Sequence, residues 1–229
     1  MSRPLLACLL ALQTLACCQD RSPDAHPSTG RQTAPVMGMG GAPWLVRPER
    51  EAEEAPDAAL DAIDAAIGIS KGATVADIGA GVGYFTWRLA ARIGPGGRVY
   101  AVDIQQPMLD RLRHNMADRK LANYQAVLGA EDDPHLPANR IDLALLVDVY
   151  HEFSQPQQML RKIRAALAPN GRMVLLEYRK EDPRVPILPA HKMSVAEVKA
   201  EIEPEGFKLE KTLENLPRQH ILIFRKTTM

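Results

Sequence analysis

The sequence predicts an α/β fold: a doubly wound, seven-stranded, mostly parallel sheet in which the last strand is antiparallel. Two observations carry this prediction. Apolar runs typical of strands alternate with segments of helical periodicity along residues 57–204, as in folds built on a parallel sheet. The two final runs, 207–213 and 219–226, are joined by a link too short for a helical crossover, and they therefore predict a hairpin.

The predicted helices follow from apolar periodicity and from residues that start helices. Leu60, Ile63 and Ile67 form one helical stripe, which predicts the first helix. Ser194, with Glu197 three residues later, is a capping-box pattern at the start of the last helix. The predicted helices are 57–67, 83–93, 107–119, 156–168 and 194–204.

The predicted strands are apolar runs bounded by turn residues. The run from Ile141 to Val149 is nearly continuous, as expected of a central parallel strand buried on both faces. Glycines and prolines at 94–97 and 169–171 predict turns. The predicted strands are 74–79, 98–104, 124–128, 141–149, 172–178, 207–213 and 219–226.

The turn after the first strand is the most informative stretch. Asp77 lies at the end of that strand, and Gly79, Gly81 and Gly83 follow just before a helix begins. Glycines permit positive φ and close approach of a ligand, and the helix start offers free N–H groups. A dinucleotide fingerprint expects a small residue where this sequence has Tyr84.

This segment resembles motif I of the class I methyltransferases that use S-adenosylmethionine (SAM), and the resemblance extends over residues 44–226. SAM has a cationic amino group and a sulfonium, which an acid near the strand end can balance. NAD binding and a glycine turn without a ligand are the alternatives. The resemblance assigns to cofactor binding Asp77, Gly79, Ala80, Gly81, Gly83 and Tyr84.

Asp103 ends the second strand, 20 residues after Gly83. An acid at this place can accept hydrogen bonds from ribose hydroxyls. The resemblance implies that Asp103 binds the SAM ribose and that Ile104 lies against the adenine. A helix N-cap is the other interpretation of Asp103, and the two roles are compatible.

An acidic loop, residues 129–137, follows the third strand. Related methyltransferases place an acid here that contacts the adenine amino group. The loop is longer than the commonest family pattern, so Glu131, Asp132 and Asp133 are all candidates, and Asp132 is the favoured one. A plain solvated loop is the alternative.

The end of the fourth strand and the residues just after it carry polar side chains: Asp148, Tyr150, His151 and Glu152. Ligands of open α/β sheets bind beyond the carboxyl ends of the strands, so these side chains are expected beside the methyl donor. His151 is a candidate general base because its ordinary pKa lies near neutrality; an ordinary loop histidine is the alternative. Asp148 is expected to orient SAM or the loop. Catalytic roles are predicted for Asp148, His151 and Glu152.

The fifth strand ends at the same edge of the sheet. Glu177 and Tyr178 emerge there, and His191 and Lys192 lie in the following loop. These residues are expected to line an acceptor pocket, with a surface loop as the equal alternative.

SAM is the cofactor expected, and no metal site is predicted. The histidines at 135, 151, 191 and 220 lack the short spacings of His/Asp/Glu ligand sets. The expected partner is a small-molecule acceptor. Nucleic acid is not expected, because 28 Lys and Arg balance 28 Asp and Glu without a basic run.

Residues 1–18 have the features of a bacterial lipoprotein signal. The apolar run over 5–16 is shorter than the ~20 residues of a membrane-spanning helix and fits a secretory signal. Cys17 and Cys18, either of which could carry a lipid, follow it, and the remaining cysteine, Cys8, also lies here. The prediction is an exported, periplasmic protein that contacts the membrane only through its lipid anchor; a cytoplasmic location is the alternative.

Residues 19–43 are rich in Pro, Ser, Thr, Gly and Gln, a composition that predicts a disordered tether. The methyltransferase-like domain is therefore predicted over 44–229. The resemblance implies that the segment at its start, with Trp44 and Arg47, forms a lid over the SAM site.

The predicted function is SAM-dependent methyl transfer to a small-molecule acceptor. The alternative is an exported, non-catalytic protein that binds an adenosyl compound or another metabolite on the same fold. The presence of Asp77, the three glycines and Asp103 favours the enzyme.

Overall fold

The computed structural model describes residues 25–227. The predicted signal segment 1–18, with Cys17 and Cys18, lies outside the described residues, as does the start of the predicted tether. None of the helices within 25–227 combines the length and apolar character that crossing a membrane requires.

The described part of the chain contains six α-helices and eight strands, joined by loops and short 3₁₀ turns. The helices are α1 (Arg50–Glu54), α2 (Pro56–Ile67), α3 (Thr86–Ile93), α4 (Gln106–Asp118), α5 (Pro156–Ala166) and α6 (Val195–Ile202). The strands are β1 (Thr74–Ile78), β2 (Arg98–Asp103), β3 (Tyr124–Leu128), β4 (Ile141–Val147), β5 (Leu167–Arg179), β6 (Lys192–Met193), β7 (Phe207–Leu213) and β8 (Gln219–Lys226).

The strands form one sheet in the order β3-β2-β1-β4-β5-β8-β7, and the short β6 pairs with β5. The pairings among β1 to β6 are parallel. β8 runs antiparallel to both of its neighbours, β5 and β7. The predicted doubly wound sheet with an antiparallel last strand is confirmed. The strand order reverses beside β1 and β4, where open α/β sheets bind ligands.

Two apolar clusters cover the two faces of the sheet. On one face, residues such as Leu60 and Leu89 of α2 and α3 pack against Val75. On the other face, Ile163 of α5 and Ile202 of α6 belong to the second cluster. The central strands are therefore buried on both sides, as the apolar run at β4 predicts.

β5 is longer than predicted. It begins at Leu167 because the chain at 169–171 stays extended instead of turning away. Leu167 already pairs with Ile141, and a register shift absorbs the extra residues before the regular pairing of Leu143 with Arg172.

The described part of the predicted tether, residues 25–43, packs against the domain. His26 and Ala34 are buried, and Arg31 forms a double hydrogen bond with Glu201 of α6, at 2.9 and 3.0 Å. The Ala34 N–H donates to the carbonyl of His151 at 3.0 Å. The composition did not predict this packing because the segment has few large apolar side chains. Polar contacts to α6 and to His151 fasten it to the domain.

Candidate cofactor and acceptor site

A cavity of about 450 Å³ opens at the carboxyl ends of β1, β2, β4 and β5. Its size falls in the range of small-molecule sites, roughly 300–1,000 Å³. Of the predicted site residues, those on its wall are Asp77, Gly79, Ala80, Gly81, Tyr84, Asp103, Ile104, Asp148, His151 and Glu152. The fold thus gathers at one place residues that lie up to 75 positions apart in the sequence (from 77 to 152).

The glycine turn forms the floor of this cavity. Gly79 has φ of +75°, and an added Cβ would lie 2.4 Å from Cγ2 of Val149. Gly83 does not line the cavity. It has φ of +86°, and an added Cβ would lie 2.9 Å from Cγ of Leu112, so glycine is needed there for α4 to pack against the turn. Both positions therefore require glycine for conformation and for space.

Asp77 lies behind the turn with its carboxylate at the cavity wall. Its Oδ2 accepts a hydrogen bond of 2.6 Å from the hydroxyl of Thr86. Burial raises the pKa of Asp77 to about 6, although the Thr86 bond and the charge of Arg50 oppose that rise. A buried carboxylate of this kind favours a cationic ligand group.

Asp103 is fixed at the opposite side of the turn. Its two oxygens accept backbone N–H groups, Oδ2 from Gly81 at 2.8 Å and Oδ1 from Gln105 at 2.9 Å. Burial raises the pKa of Asp103 despite these bonds. Each oxygen keeps a further lone pair for a ligand hydroxyl, and Ile104 lies next to it, partly exposed on the cavity wall.

The acid on the wall after β3 is Glu131 and not Asp132. Glu131 lines the cavity, and its Oε2 accepts from the hydroxyl of Ser154 at 2.8 Å. The N–H of Ala130 bonds to the carbonyl of Asp133, and this turn leaves Asp132 exposed at its tip, outside the cavity wall. The favoured candidate, Asp132, therefore lies off the cavity wall, and Glu131, another of the three candidates, lies on it.

Arg50 and Glu54 of α1 are site residues that the sequence prediction missed. Both are buried and line the cavity. Arg50 Nε donates to Glu54 Oε2 at 2.7 Å, and the Tyr178 hydroxyl donates to Glu54 Oε1 at 2.9 Å. The guanidinium also lies 4.1 Å from the ring centre of Tyr84. An i, i+4 pair of opposite charge was the available signal.

One of the two residues predicted to form a lid, Trp44, lies on the cavity wall. Trp44 and Leu45 line the cavity, as do Val36 and Met37 of the preceding segment. Arg47 does not line it; its guanidinium stacks on the Trp44 ring, 3.5 Å from the ring centre.

Asp148 lies at the end of β4 with a strained backbone, φ +48°. Its Oδ2 accepts from Gln219 Nε2 at 2.7 Å. Among the buried side-chain atoms of residues 25–227, Asp148 Oδ1 and Gln219 Oε1 are those without a hydrogen-bond partner. Burial, with the nearby charges of Glu54 and Glu177, raises the pKa of Asp148 well above its ordinary value.

His151 is held by Glu177. Its Nδ1 lies 2.6 Å from Glu177 Oε2, and the second oxygen of Glu177 accepts the N–H of Tyr150 at 3.1 Å. Burial lowers the pKa of His151, but the Glu177 charge outweighs it, so that the pKa is raised. Nε2 of His151 is thus the ring nitrogen left for chemistry, and it lies 3.2 Å from Nδ1 of His191.

Glu152 and His191 complete this end of the cavity. One ligand-type atom from each of His151, Glu152 and His191 can be chosen so that all lie within 4.8 Å of one another. Burial raises the pKa of Glu152 to about 7. These residues lack the short spacing of typical ligand sets along the chain, but the fold brings together two histidines that are 40 positions apart.

Other predicted acceptor residues take different places. Tyr178 lines the cavity, whereas Glu177 lies behind His151. Lys192 points away and donates to the carbonyl of Val185 at 2.5 Å. Tyr150 is fully buried and packs edge-on against Phe153.

Parts of the chain are similar in sequence to known methyltransferases. Residues 76–173 match the family described as "Methyltransferase domain". The ubiquinone/menaquinone biosynthesis C-methyltransferase UbiE of Hahella chejuensis is 30% identical over 122 residues, which cover 53% of this chain and 48% of that protein. Nocamycin O-methyltransferase of Saccharothrix syringae is 30% identical over 116 residues, covering 51% and 40%. The chain spans half or less of the length of these curated relatives.

A solved structure extends the likeness to most of the chain. The crystal structure of a SAM dependent methyltransferase from Aquifex aeolicus matches with a TM-score of 0.76 and 23% identity, covering 82% of this chain and 98% of that chain. The molecule therefore has the class I methyltransferase fold. Its central part is similar to a methyltransferase domain.

Proposed function

We propose that the protein transfers a methyl group from SAM to a small-molecule acceptor. The observation that carries the proposal is the convergence of Asp77, the glycine turn and Asp103 on one cavity at the switch point of the sheet. Dinucleotide binding is disfavoured because Tyr84, on the cavity wall, occupies the place where a pyrophosphate site expects a small residue.

The charges of the cavity suit the three ends of SAM. Asp77 faces the cationic amino group, and Arg50 supplies the positive charge for the carboxylate of the same methionine moiety. Asp103 accepts from the ribose hydroxyls, and Glu131 with Ile104 borders the adenine. The sulfonium then points toward Asp148 and His151, where the acceptor binds.

Beside the polar groups at its acceptor end, the cavity wall carries many apolar side chains. Val36, Trp44 and Leu188 are exposed apolar side chains on this wall. An apolar molecule with one polar group fits this lining. Since the sulfonium is already activated, the residues act mainly by holding donor and acceptor in line.

Calorimetric titration of the purified full chain with SAM, and separately with NAD, tests the cofactor. SAM should bind with micromolar affinity and NAD should not bind. Asp103→Ala should weaken SAM binding by about 10- to 100-fold, the effect of losing charge-assisted hydrogen bonds, while the exposed control Asp110→Ala should not. Absence of SAM binding would overturn the proposal.

A transfer assay separates the enzyme from the binding-protein alternative. Labelled SAM is incubated with a panel of apolar phenols and quinols, and S-adenosylhomocysteine is measured. Product formation that needs a panel member supports the enzyme. Tight SAM binding without product across the panel supports the non-catalytic alternative.

We further propose that the protein is exported and lipid-anchored at Cys17 or Cys18. The apolar run over 5–16 and the position of all three cysteines within residues 1–18 support this. Labelled palmitate should enter the wild type and be lost in the double variant Cys17→Ser/Cys18→Ser. A cytosolic, unlabelled protein would contradict the anchor without affecting the methyl-transfer proposal.

A further inference from the structure

Three metal-ligand side chains meet at the acceptor end of the cavity. His151 and Glu152 lie on the short helical turn after β4, and His191 lies on a second turn, Pro189–His191, before β6. All three line the cavity, and their nearest ligand atoms lie within 4.8 Å of one another. The two turns bring them together from loops at the ends of neighbouring strands, β4 and β5.

The orientation of His151 is that of a metal ligand. Its Nδ1 lies 2.6 Å from the buried carboxylate of Glu177, which fixes the ring and its tautomer. Metal-bound histidines are typically held in this way, with one nitrogen donating to a carboxylate and the other facing the metal. Nε2 of His151 accordingly faces His191 and the cavity.

The separation of the two imidazoles suits a shared metal ion. His151 Nε2 and His191 Nδ1 are 3.2 Å apart. Two nitrogens each 2.0–2.1 Å from one Zn²⁺ are roughly 2.8–3.4 Å apart for right-angled to tetrahedral geometry. Two histidines and one glutamate are also a known ligand set of catalytic zinc, with a further position open.

We propose that His151, Glu152 and His191 bind one divalent first-row transition metal, for which Zn²⁺ is the reference ion. The ligand atoms are Nε2 of His151, Nδ1 of His191 and the carboxylate of Glu152. The site faces the cavity, so an oxygen-bearing ligand can enter the open position. In this assignment His151 Nε2 is a metal ligand and not a general base that takes a proton from the acceptor.

On the proposed function, the metal would bind the acceptor through a hydroxyl oxygen. A bound cation makes such a hydroxyl more acidic, so its proton is released to solvent and the oxygen remains as an oxyanion. That oxygen forms the new bond to the SAM methyl carbon as the carbon–sulfur bond breaks. The bonding electron pair stays on sulfur, which leaves S-adenosylhomocysteine, and no redox partner is needed.

The test measures metal binding directly and needs neither SAM nor acceptor. Untagged, metal-free full-length protein is used with Cys8, Cys17 and Cys18 changed to serine, so that thiols do not bind the probe. Zn²⁺ binding is followed by calorimetry, and Co²⁺ binding by its visible absorption. One equivalent should bind, with the cobalt spectrum of an N/O site.

Matched variants localise the site. His191→Ala and Glu152→Gln should each weaken Zn²⁺ binding by at least a hundredfold and change the cobalt spectrum. Glu177→Gln should weaken binding by about 10- to 100-fold, as expected for the partner of a liganding histidine. His114→Ala, on the exposed face of α4, should change nothing. Circular dichroism spectra confirm that each variant is folded.

The outcomes separate this inference from the proposed function. No stoichiometric metal binding, or binding unchanged in both His191→Ala and Glu152→Gln, overturns the metal site and leaves a His151–His191 hydrogen bond in its place. If SAM-dependent methylation were then fully retained in the presence of a chelator, the proposed function would stand and the metal site would not. One equivalent bound at these residues in a protein that does not bind SAM supports the metal site and overturns the methyl-transfer proposal.

Discussion

The carboxylate of Glu177 and the imidazole of His151 form a buried pair, with 2.6 Å between Oε2 and Nδ1. Glu177 is fully buried, and His151 is almost so. Because the other oxygen of Glu177 holds the N–H of Tyr150, one side chain of β5 fixes both the ring of His151 and the turn that presents it to the cavity.

Replacing Glu177 by glutamine should destabilise the metal-free protein. The substitution keeps the volume but removes charge-assisted hydrogen bonds to two groups, which should lower the free energy of unfolding by about 1–3 kcal/mol. Urea denaturation at pH 6 measures it. Glu49→Gln, at an exposed position, is the control, and its effect should stay within about 0.5 kcal/mol. Equal effects in both variants would contradict a structural pair.

SAM affinity should fall as the pH is lowered through 6. The pKa of Asp77 is raised to about 6 by burial, and only its ionised form attracts the cationic amino group. Below that pH the dissociation constant should therefore rise by roughly tenfold per pH unit. Asp77→Asn should bind weakly and lose most of the slope. Calorimetry between pH 5 and 7.5 measures this, and a wild-type affinity that does not change with pH would sink the assigned role of Asp77.

Gly79→Ala should damage both stability and SAM binding. Its φ of +75° disfavours a side chain, and the new Cβ would lie 2.4 Å from Val149. A cost of about 1–3 kcal/mol is expected from strain and overpacking. Gly96→Ala is the control because a Cβ there meets nothing within 4 Å. The double variant Gly79→Ala/Val149→Ala should regain the stability lost to the clash with Val149. If it regained none, the whole loss would come from the strained φ of residue 79.

Arg31→Ala should release the N-terminal segment from the domain. Arg31 donates to both oxygens of Glu201 and to the carbonyl of His151. Without it, residues 25–37 should exchange amide hydrogen faster, and SAM affinity should fall severalfold because Val36 and Met37 line the cavity. Hydrogen exchange with mass spectrometry measures this. The exposed Arg184→Ala is the control, and unchanged exchange in Arg31→Ala would mean that other contacts hold the segment.

Asp148→Asn should stabilise the protein while impairing catalysis. Burial with the charges of Glu54 and Glu177 raises the pKa of Asp148. The stability that Asp148 contributes at low pH is therefore lost as the pH rises from the ordinary pKa of an aspartate through the raised pKa. Asparagine tolerates the positive φ. A gain of about 1 kcal/mol is expected, larger at pH 8 than at pH 5. Thermal unfolding at both pH values checks the sign, and a loss of stability would contradict it.

The sequence predicted the sheet well because the signals there were local. Strands 124–128, 207–213 and 219–226 agree with β3, β7 and β8, since turn residues bound each apolar run. The glycine turn and Asp103 were equally predictable, because spacing after a strand places them at the sheet edge. These features require no knowledge of distant contacts.

What the sequence did not predict depends on contacts between distant segments. Arg31 pairs with Glu201, which is 170 positions away in the sequence. This ion pair fastens to the domain a segment whose composition predicts a tether. His191 reaches His151 only because two loops fold over the same cavity. Asp132 and Glu131 are neighbours in sequence, and the turn between Ala130 and Asp133 leaves Glu131 on the cavity wall and Asp132 off it.

Because residues 25–37 pack against the domain, they also limit the distance between the domain and the proposed lipid anchor. From Cys17 or Cys18 to Ala25 the chain can reach at most roughly 25–30 Å when fully extended. A tether over the whole of 19–43 would reach several times farther. The anchored domain would therefore stay in a thin layer beside the bilayer, where the partitioning of an acceptor into lipid, rather than its solubility in water, would set how often the enzyme meets it.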